Sequence, residues 1–276
     1  MHNLKEIRKN VDIFKKKINE RNTDVDFEDL IKLDKKNRKF IQKKESLEKE
    51  KKILSKSRNE KNFKKSKTLS KEIESLSIDQ EKIQNKINNI LSILPNIALD
   101  DVPVGKNESS NKIIKKEGKI KEFDFAIKSH SELGELRDQI DFKTSSKLSG
   151  SRFVVLKEKF ALLERALINF MIDIHVNKFK YTEISPPLIV NENVMFGTGQ
   201  LPKFEDDQFE LKLEKSSERK FLIPTAEVSL TNLVRDSVVD LKKIPLRFVA
   251  GTPCFRKEAG SYGKDTKGMM RQHQFY

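Results

Sequence analysis

From Leu69 to Leu94 apolar side chains return in alternating steps of four and three, at Leu69, Ile73, Leu76, Ile83, Ile87, Ile90 and Leu94, with Gln80 the one polar member. This heptad seam lasts for about three and a half repeats, and a chain that keeps it so long is committed to a helix lying against another helix. Pro95-Asn96 ends it, because proline has no amide with which to continue the ladder. A partner stands upstream. Leu33, Phe40, Leu47 and Leu54 recur seven apart in a stretch without Gly or Pro, so one apolar stripe on a second helix is expected. With a polar break at Lys64 to Thr68, the two read as an antiparallel hairpin. At 1.5 Å rise per residue and roughly 25–40 residues a helix, the arm would project about 40–60 Å.

Charge distribution says what such an arm could meet. Between Lys32 and Lys67 stand 16 Lys/Arg against 5 Asp/Glu, a net of +11, while the whole chain of 276 residues carries +14. A dimerising coiled coil with solvating lysines is one reading. An arm that docks on a polyanion is the preferred one, since this excess is larger than solubility requires. The single cysteine, Cys254, leaves no partner for an internal disulfide and fits a reducing compartment. No apolar run approaches the ~20 residues of a membrane span, and the N-terminus lacks a signal-peptide apolar region. A cytoplasmic protein with no membrane association is expected.

After a Pro-, Gly- and Ser-bearing linker, Asn96 to Lys119, the pattern changes. A second amphipathic helix carries Leu156, Phe160, Leu163, Leu167, Phe170 and Ile174. β-rich runs follow at Tyr181–Ile184, Phe221–Ile223, Leu246–Ala250 and Met269–Phe275. The fold class expected is α+β: a helical arm over residues 1–105, then an antiparallel sheet flanked by helices over residues 106–276.

The chemistry-bearing stretches are few. Leu246 to Glu258 reads as one strand and Gly268 to Phe275 as its partner, joined by a loop with Gly260, Gly263, Lys264 and Lys267. Arg256 offers a fork of donors suited to phosphate oxygens, and Phe275 a flat face on which a base could stack. No GxxxxGK[ST] and no GxGxxG opening a helix is present. In "IPTAEVSLTNL", Pro224 breaks a strand, and Thr225 and Glu227, two apart on extended chain, would point the same way. Such a pair could hold a small ligand with an amine and a hydroxyl. His2, His130, His175 and His273 are scattered and without Cys partners, so they form no zinc set and read as structural.

Taken together, "KLSGSRFVVLK", "SPPLIV", "GTGQLPKF", "IPTAEVSLTNL" and "TPCFRKEAGSYGKDTKGMMRQHQF" closely resemble seryl-tRNA synthetase, a class II aminoacyl-tRNA synthetase. "NLKEIRKN", "LPNIALDDVPVG" and "SHSELGELRDQIDF" extend the resemblance over essentially the whole chain. It implies ATP and Mg²⁺ as cofactors, and L-serine and tRNA(Ser), with tRNA(Sec) a further candidate, as substrates. Motif 1 would run from about 152 to 187 and form a homodimer interface. Motif 2 would run from about 246 to 276. By the family pattern Arg256 contacts the α-phosphate and is the catalytic group. Glu258, Phe275 and Arg271 complete the ATP contacts, and Thr225 and Glu227 recognise serine. The arm implies tRNA contacts by Lys43, Lys44, Lys51, Lys52, Lys56, Lys64 and Lys65, joined by Lys264 and Lys267 of the motif 2 loop. No resident metal site is expected within the chain.

Two departures stand out. Lys257 lies where the family commonly has serine; on a strand it should face away from Arg256 and Glu258. The sequence also stops at Tyr276, ahead of motif 3, so an incomplete, weakly active or inactive fragment is expected. The alternative is a non-catalytic tRNA- or RNA-binding module, against which the retained Arg256, Glu258, Thr225 and Glu227 argue.

Overall fold

A computed structural model of the chain describes residues 2–23, 25–56, 59–213, 218–258 and 268–276. Two compact units divide it, Met1–Lys119 and Ile120–Tyr276. No described helix is long and apolar enough to cross a membrane.

The first unit is helical. α1 (Leu4–Lys9) and α2 (Val11–Asn19) are short and lead into α3 (Phe27–Leu54) and α4 (Glu60–Ile93). Asp26 starts α3 by accepting from the amides of Glu28 and Asp29 at 2.9 and 3.0 Å, which satisfies two of the donors left over at a helix start. α4 stops where expected: Leu94 is extended at ψ 128°, as a residue before proline must be. Its seam is the buried face, with Leu69, Leu76, Ile83 and Ile87 all inside.

The hairpin is antiparallel. Lys43 pairs with Glu72 and Lys65 with Glu50, each at 2.8 Å, so higher numbers on one helix meet lower numbers on the other. The break, however, is not at Lys64 to Thr68. α4 runs through those residues and starts at Glu60, capped by Asn59 accepting from Lys61 N at 3.0 Å. Lys, Ser and Thr are tolerated inside a helix, whereas an Asn side chain competes for the backbone and sets an end. The buried line of α3 is also more polar than its stripe predicts. Leu33, Phe40, Leu47 and Leu54 are half-buried, while Phe27, Leu30, Asp34 and Asn37 are buried.

At the base of the hairpin α1 and α2 close over it. Ile7, Ile18, Phe27, Leu30, Ile83, Ile87 and Leu91 form one core. The chain leaving α4 is tied back to α2: Arg21 donates to the Asn96 carbonyl at 2.9 Å, Asn22 to that of Gly105 at 2.8 Å, and Lys17 pairs with Asp100.

The second unit is α+β, built of short strands. α5 (His130–Glu135), opened by a Ser129–Glu132 capping box, precedes β1 (Ile140–Asp141), α6 (Phe142–Ser149) and β2 (Val155–Leu156). Then come α7 (Glu158–Asp173), which runs on into a π-turn at Ile174–Lys178, β3 (Thr182–Glu183) and β4 (Ile189–Asn191). α8 (Glu192–Gly197), β5 (Glu210–Leu211), β6 (Lys220–Leu222) and α9 (Ala226–Asn232) follow, with β7 (Phe248–Val249), β8 (Cys254–Phe255) and β9 (Gln274–Phe275) last.

β1–β2, β4–β6–β5 and β8–β9 are antiparallel. β3–β7 is parallel, with Thr182 opposite Phe248. The single strand expected from Leu246 to Glu258 is therefore two. Gly251 and Pro253 interrupt it, proline because it cannot donate to a ladder, and its halves serve different partners, β7 joining β3 and β8 joining β9. Gly251 also lies close against α7. A Cβ there would sit 2.6 Å from Ile172 and 3.2 Å from Ile168.

Candidate functional site

Arg256 leaves β8 at the point where two segments converge. Its amide donates to the His273 carbonyl at 3.0 Å, and His273 Nδ1–H donates back to the Arg256 carbonyl at 2.8 Å, closing the hairpin. Its guanidinium lies over the Phe275 ring, 5.0 Å from the centroid, and Nε donates to the Pro224 carbonyl at 3.1 Å. That last bond ties the strand to the corner carrying Thr225 and Glu227.

Two residues on, Glu258 pairs with Arg271 at 3.0 Å, from the backbone's left-handed region at φ 51°. Arg256 with Phe275 and Glu258 with Arg271 thus make two pairs across the hairpin. Lys257, between Arg256 and Glu258, lies over Phe209 at 5.9 Å and donates its amide to the Asp207 carbonyl at 2.9 Å. Lys264 and Lys267 lie outside the described residues.

Thr225 and Glu227 are not on extended chain. Thr225 is the N-cap of α9 and accepts the amide of Glu227 at 3.3 Å, which places Glu227 in the first helical turn. Pro224 ends the strand, and a hydroxyl next to it starts a helix rather than another strand. The Thr225 side chain stays half-buried and that of Glu227 exposed. Glu227 therefore sits at the positive end of the helix dipole, a favourable place for an acidic side chain.

Three supports were not legible from motif spacing. Arg219 joins Glu192 at 2.8 Å, Glu210 through two bonds at 2.8 and 2.9 Å, and Glu205, so that α8, β5, β6 and the Phe204–Gln208 turn share one guanidinium. The bonds from Glu210 and then Glu205 raise the Arg219 pKa further, and those from Arg219 hold Glu210 below the ordinary carboxylate value. His130, on α5, accepts the Met269 amide at 2.8 Å through Nε2. Gly268 precedes it at φ 69°, and a Cβ there would lie 2.2 Å from that same nitrogen. Arg152 reaches Glu258 O at 3.1 Å. None follows a short motif along the chain; each joins separate elements.

The other histidines have structural partners: His2 donates to the Pro95 carbonyl at 2.7 Å, and His175 lies against Phe179 and Tyr181. Among the described residues no three His, Cys, Asp or Glu side chains are grouped to hold a metal ion.

On the arm, Lys43 and Lys65 are spent on the cross-helix pairs with Glu72 and Glu50. Lys64 faces Glu60 at 3.5 Å with both side chains about four-fifths exposed, a pair worth little in water. Lys52 and Lys56 are exposed, and Lys44 and Lys51 half-buried.

Comparison with known proteins matches both units. Residues 1–98 match the seryl-tRNA synthetase N-terminal domain, and residues 209–276 the tRNA synthetase class II core domain (G, H, P, S and T). The chain is 58% identical over 276 residues to the serine–tRNA ligase of Pelagibacter ubique and 46% identical over 285 residues to that of Ehrlichia canis. It is covered completely in both cases and spans 66% of either relative's length. Among solved structures, it is similar to seryl-tRNA synthetase from Pyrococcus horikoshii complexed with ATP, with a TM-score of 0.84 and 32% identity over 100% of this chain and 68% of that one. Cytoplasmic serine–tRNA ligase from Naegleria fowleri in complex with AMP follows at a TM-score of 0.78 and 25% identity, over 96% and 62%.

Proposed function

Because the chain belongs to the seryl-tRNA synthetase family, we propose that its second unit takes part in activating L-serine with ATP, and that the seryl group passes from the adenylate to tRNA(Ser), with tRNA(Sec) a further acceptor. The hydrogen bond from Arg256 Nε to the Pro224 carbonyl carries this reading. It brings the residue assigned to the α-phosphate against the corner bearing Thr225 and Glu227, so a phosphate contact and an amine contact converge.

The reaction asks for little acid–base chemistry. The serine carboxylate attacks the α-phosphorus, a P–O bond forms to the acyl oxygen, and pyrophosphate leaves with the electrons of the broken bond. Arg256 supplies fixed positive charge where the phosphorus oxygens become more negative. Glu227 and Thr225 hold the substrate's ammonium and hydroxyl, which fixes the nucleophile's direction. Phe275 stacks on adenine after Arg256 moves off its face, and the Glu258–Arg271 pair lies at the adenine edge. Mg²⁺ would arrive on the ATP phosphates and draw charge from the leaving pyrophosphate.

Two further parts of the reading concern partners. α7 has two apolar faces. Ile168 and Ile172 pack at Gly251, while Leu163, Leu167 and Phe170 stand 51%, 48% and 61% exposed. An apolar stripe open along a whole helix suits a second copy of the chain, as a homodimer through motif 1. The arm's lysines suit the phosphates of a tRNA, recognised by shape and charge. A cytoplasmic location fits these partners.

Serine-dependent exchange of pyrophosphate into ATP tests the reading in the protein carrying this chain. Arg256→Ala should lower it by about 10²–10³-fold. Exchange that ignores serine, or survives the substitution, would count against it.

A further inference from the structure

Arg152 sits between α6 and β2, outside every residue assigned to a substrate, yet it holds both strands of the nucleotide hairpin. Its carbonyl accepts the His273 amide at 2.9 Å, next to β9. Its guanidinium crosses to the other strand, where Nη1 donates to the Glu258 carbonyl at 3.1 Å and more weakly to that of Lys257 at 3.4 Å. Arg152 is itself left-handed, at φ 63°, a conformation uncommon for a residue with a side chain. Glu258 is left-handed too. Two such residues joined by a charge-assisted bond make a built corner, in which the surrounding contacts hold what the backbone alone would not.

What that corner aims is the Glu258 carboxylate. With the Glu258 carbonyl drawn to Arg152, the side chain faces Arg271 at 3.0 Å. Without the guanidinium one of the bonds that hold Glu258 in this conformation is lost, and the aim of its carboxylate at Arg271 is loosened. Arg256 is held by bonds to His273 and Pro224 that the Arg152 guanidinium does not make. The supports are therefore distinct: the ladder holds Arg256 and Phe275, and the Arg152 guanidinium bonds the backbone at Glu258.

We propose that Arg152 is a positioning residue for base selection, holding Glu258 and Arg271 in the geometry that distinguishes adenine from other bases while leaving the phosphate contact untouched. The inference rests on the reading of Glu258 as an adenine contact, and the experiment separates the two. Dissociation constants are measured for ATP, GTP and inorganic triphosphate in the wild type, Glu258→Gln, Arg152→Ala and Arg152→Lys, each checked by thermal unfolding to be folded at the assay temperature. Lysine keeps the charge but presents a single ammonium in place of the planar fork, so it serves if the alanine variant does not fold.

The expected result is that Glu258→Gln and both Arg152 variants narrow the preference for ATP over GTP by about tenfold, with triphosphate affinity unchanged. If Glu258→Gln narrows the preference and the folded Arg152 variants keep that of the wild type, the role of Arg152 is overturned and the reading of Glu258 stands. If the Arg152 variants weaken all three ligands by the same factor, Arg152 is a general brace and the inference falls. If Glu258→Gln changes nothing, the adenine reading falls and takes this inference with it.

Discussion

Asp141 shows how much a single side chain does here. Its carboxylate takes the Lys157 ammonium at 2.8 Å, the Thr144 amide at 2.8 Å and the Thr144 hydroxyl at 2.8 Å, so it caps α6 and ties that helix to the start of α7. The Lys157 bond first, then the Thr144 amide, holds its pKa far below the ordinary 3.8. Glu210 is lowered in the same sense by Arg219. A carboxyl whose pKa is lower folded than unfolded stabilises the fold above its unfolded value, and that contribution is lost as pH falls towards the folded one. These groups therefore leave stability flat from pH 7 down to about 5 and withdraw it below about 4. Thermal unfolding midpoints followed through that range should drop at the acid end, and Asp141→Asn should flatten the drop while lowering the midpoint at pH 7. An unchanged acid profile in the variant would remove Asp141 from this account. At the residue scale, what the sequence made legible is which side chains the hairpin pairs. Arg256 and Phe275, and Glu258 and Arg271, lie in one stretch whose ends the hairpin brings together. Arg152, His130 and Arg219 were not legible, since each acts on a segment its own neighbours do not reveal.

Among the elements, the arm was the most legible and misled in two places. Its seam told correctly where α4 packs and where it ends, because burial period and proline are both strong local signals. Its turn lies ahead of the polar run at Lys64 to Thr68, because one asparagine cap, Asn59, decides where α4 starts. The polar layer was missed as well. Asn37, 5% exposed on α3, donates to Gln84 at 2.8 Å and accepts from Gln80 at 3.1 Å. Gln80, the one polar member of the seam, is thus half of a cross-helix pair that fits in only one register. A buried amide of this kind costs stability and selects alignment. Asn37→Ala should destabilise the arm by about 1–2 kcal/mol, from buried hydrogen bonds lost without replacement. The double change Asn37→Leu, Gln80→Leu should restore or exceed wild-type stability in urea unfolding followed by helical circular dichroism. It should also loosen register, so that cysteines placed at 43 and 72, which face each other in the native pairing, cross-link less completely. Full cross-linking in the leucine pair would mean that the apolar seam alone sets the alignment.

At the scale of the whole molecule the question is what covers α7. The sequence predicted one apolar face from Leu156 to Ile174, and a helix in a small α+β unit would be expected to bury it. The structure leaves the middle of that face open instead: Leu156 belongs to β2, Phe160 and Ile174 are half-buried, no residue of α7 is fully buried, and Leu162 and Met171 add 55% and 54% exposure to the stripe of Leu163, Leu167 and Phe170. Periodicity reports that a face is apolar and is silent on whether its partner lies in the same chain, which is why this was out of reach before the structure. Removing apolar area from water is worth roughly 25 cal/mol per Å², so leaving five large side chains open is costly unless a second surface meets them. In a two-fold dimer the same stripe meets itself, and one substitution is felt twice. Leu163→Glu with Phe170→Glu would place four carboxylates in that contact while sparing Ile168 and Ile172, which pack at Gly251 within the chain. Sedimentation velocity should find the wild type dimeric at micromolar concentration and the double variant monomeric, with far-ultraviolet circular dichroism little changed. A wild type that sediments as a monomer would leave the stripe without its partner, and a variant that stays dimeric would place the interface on another surface.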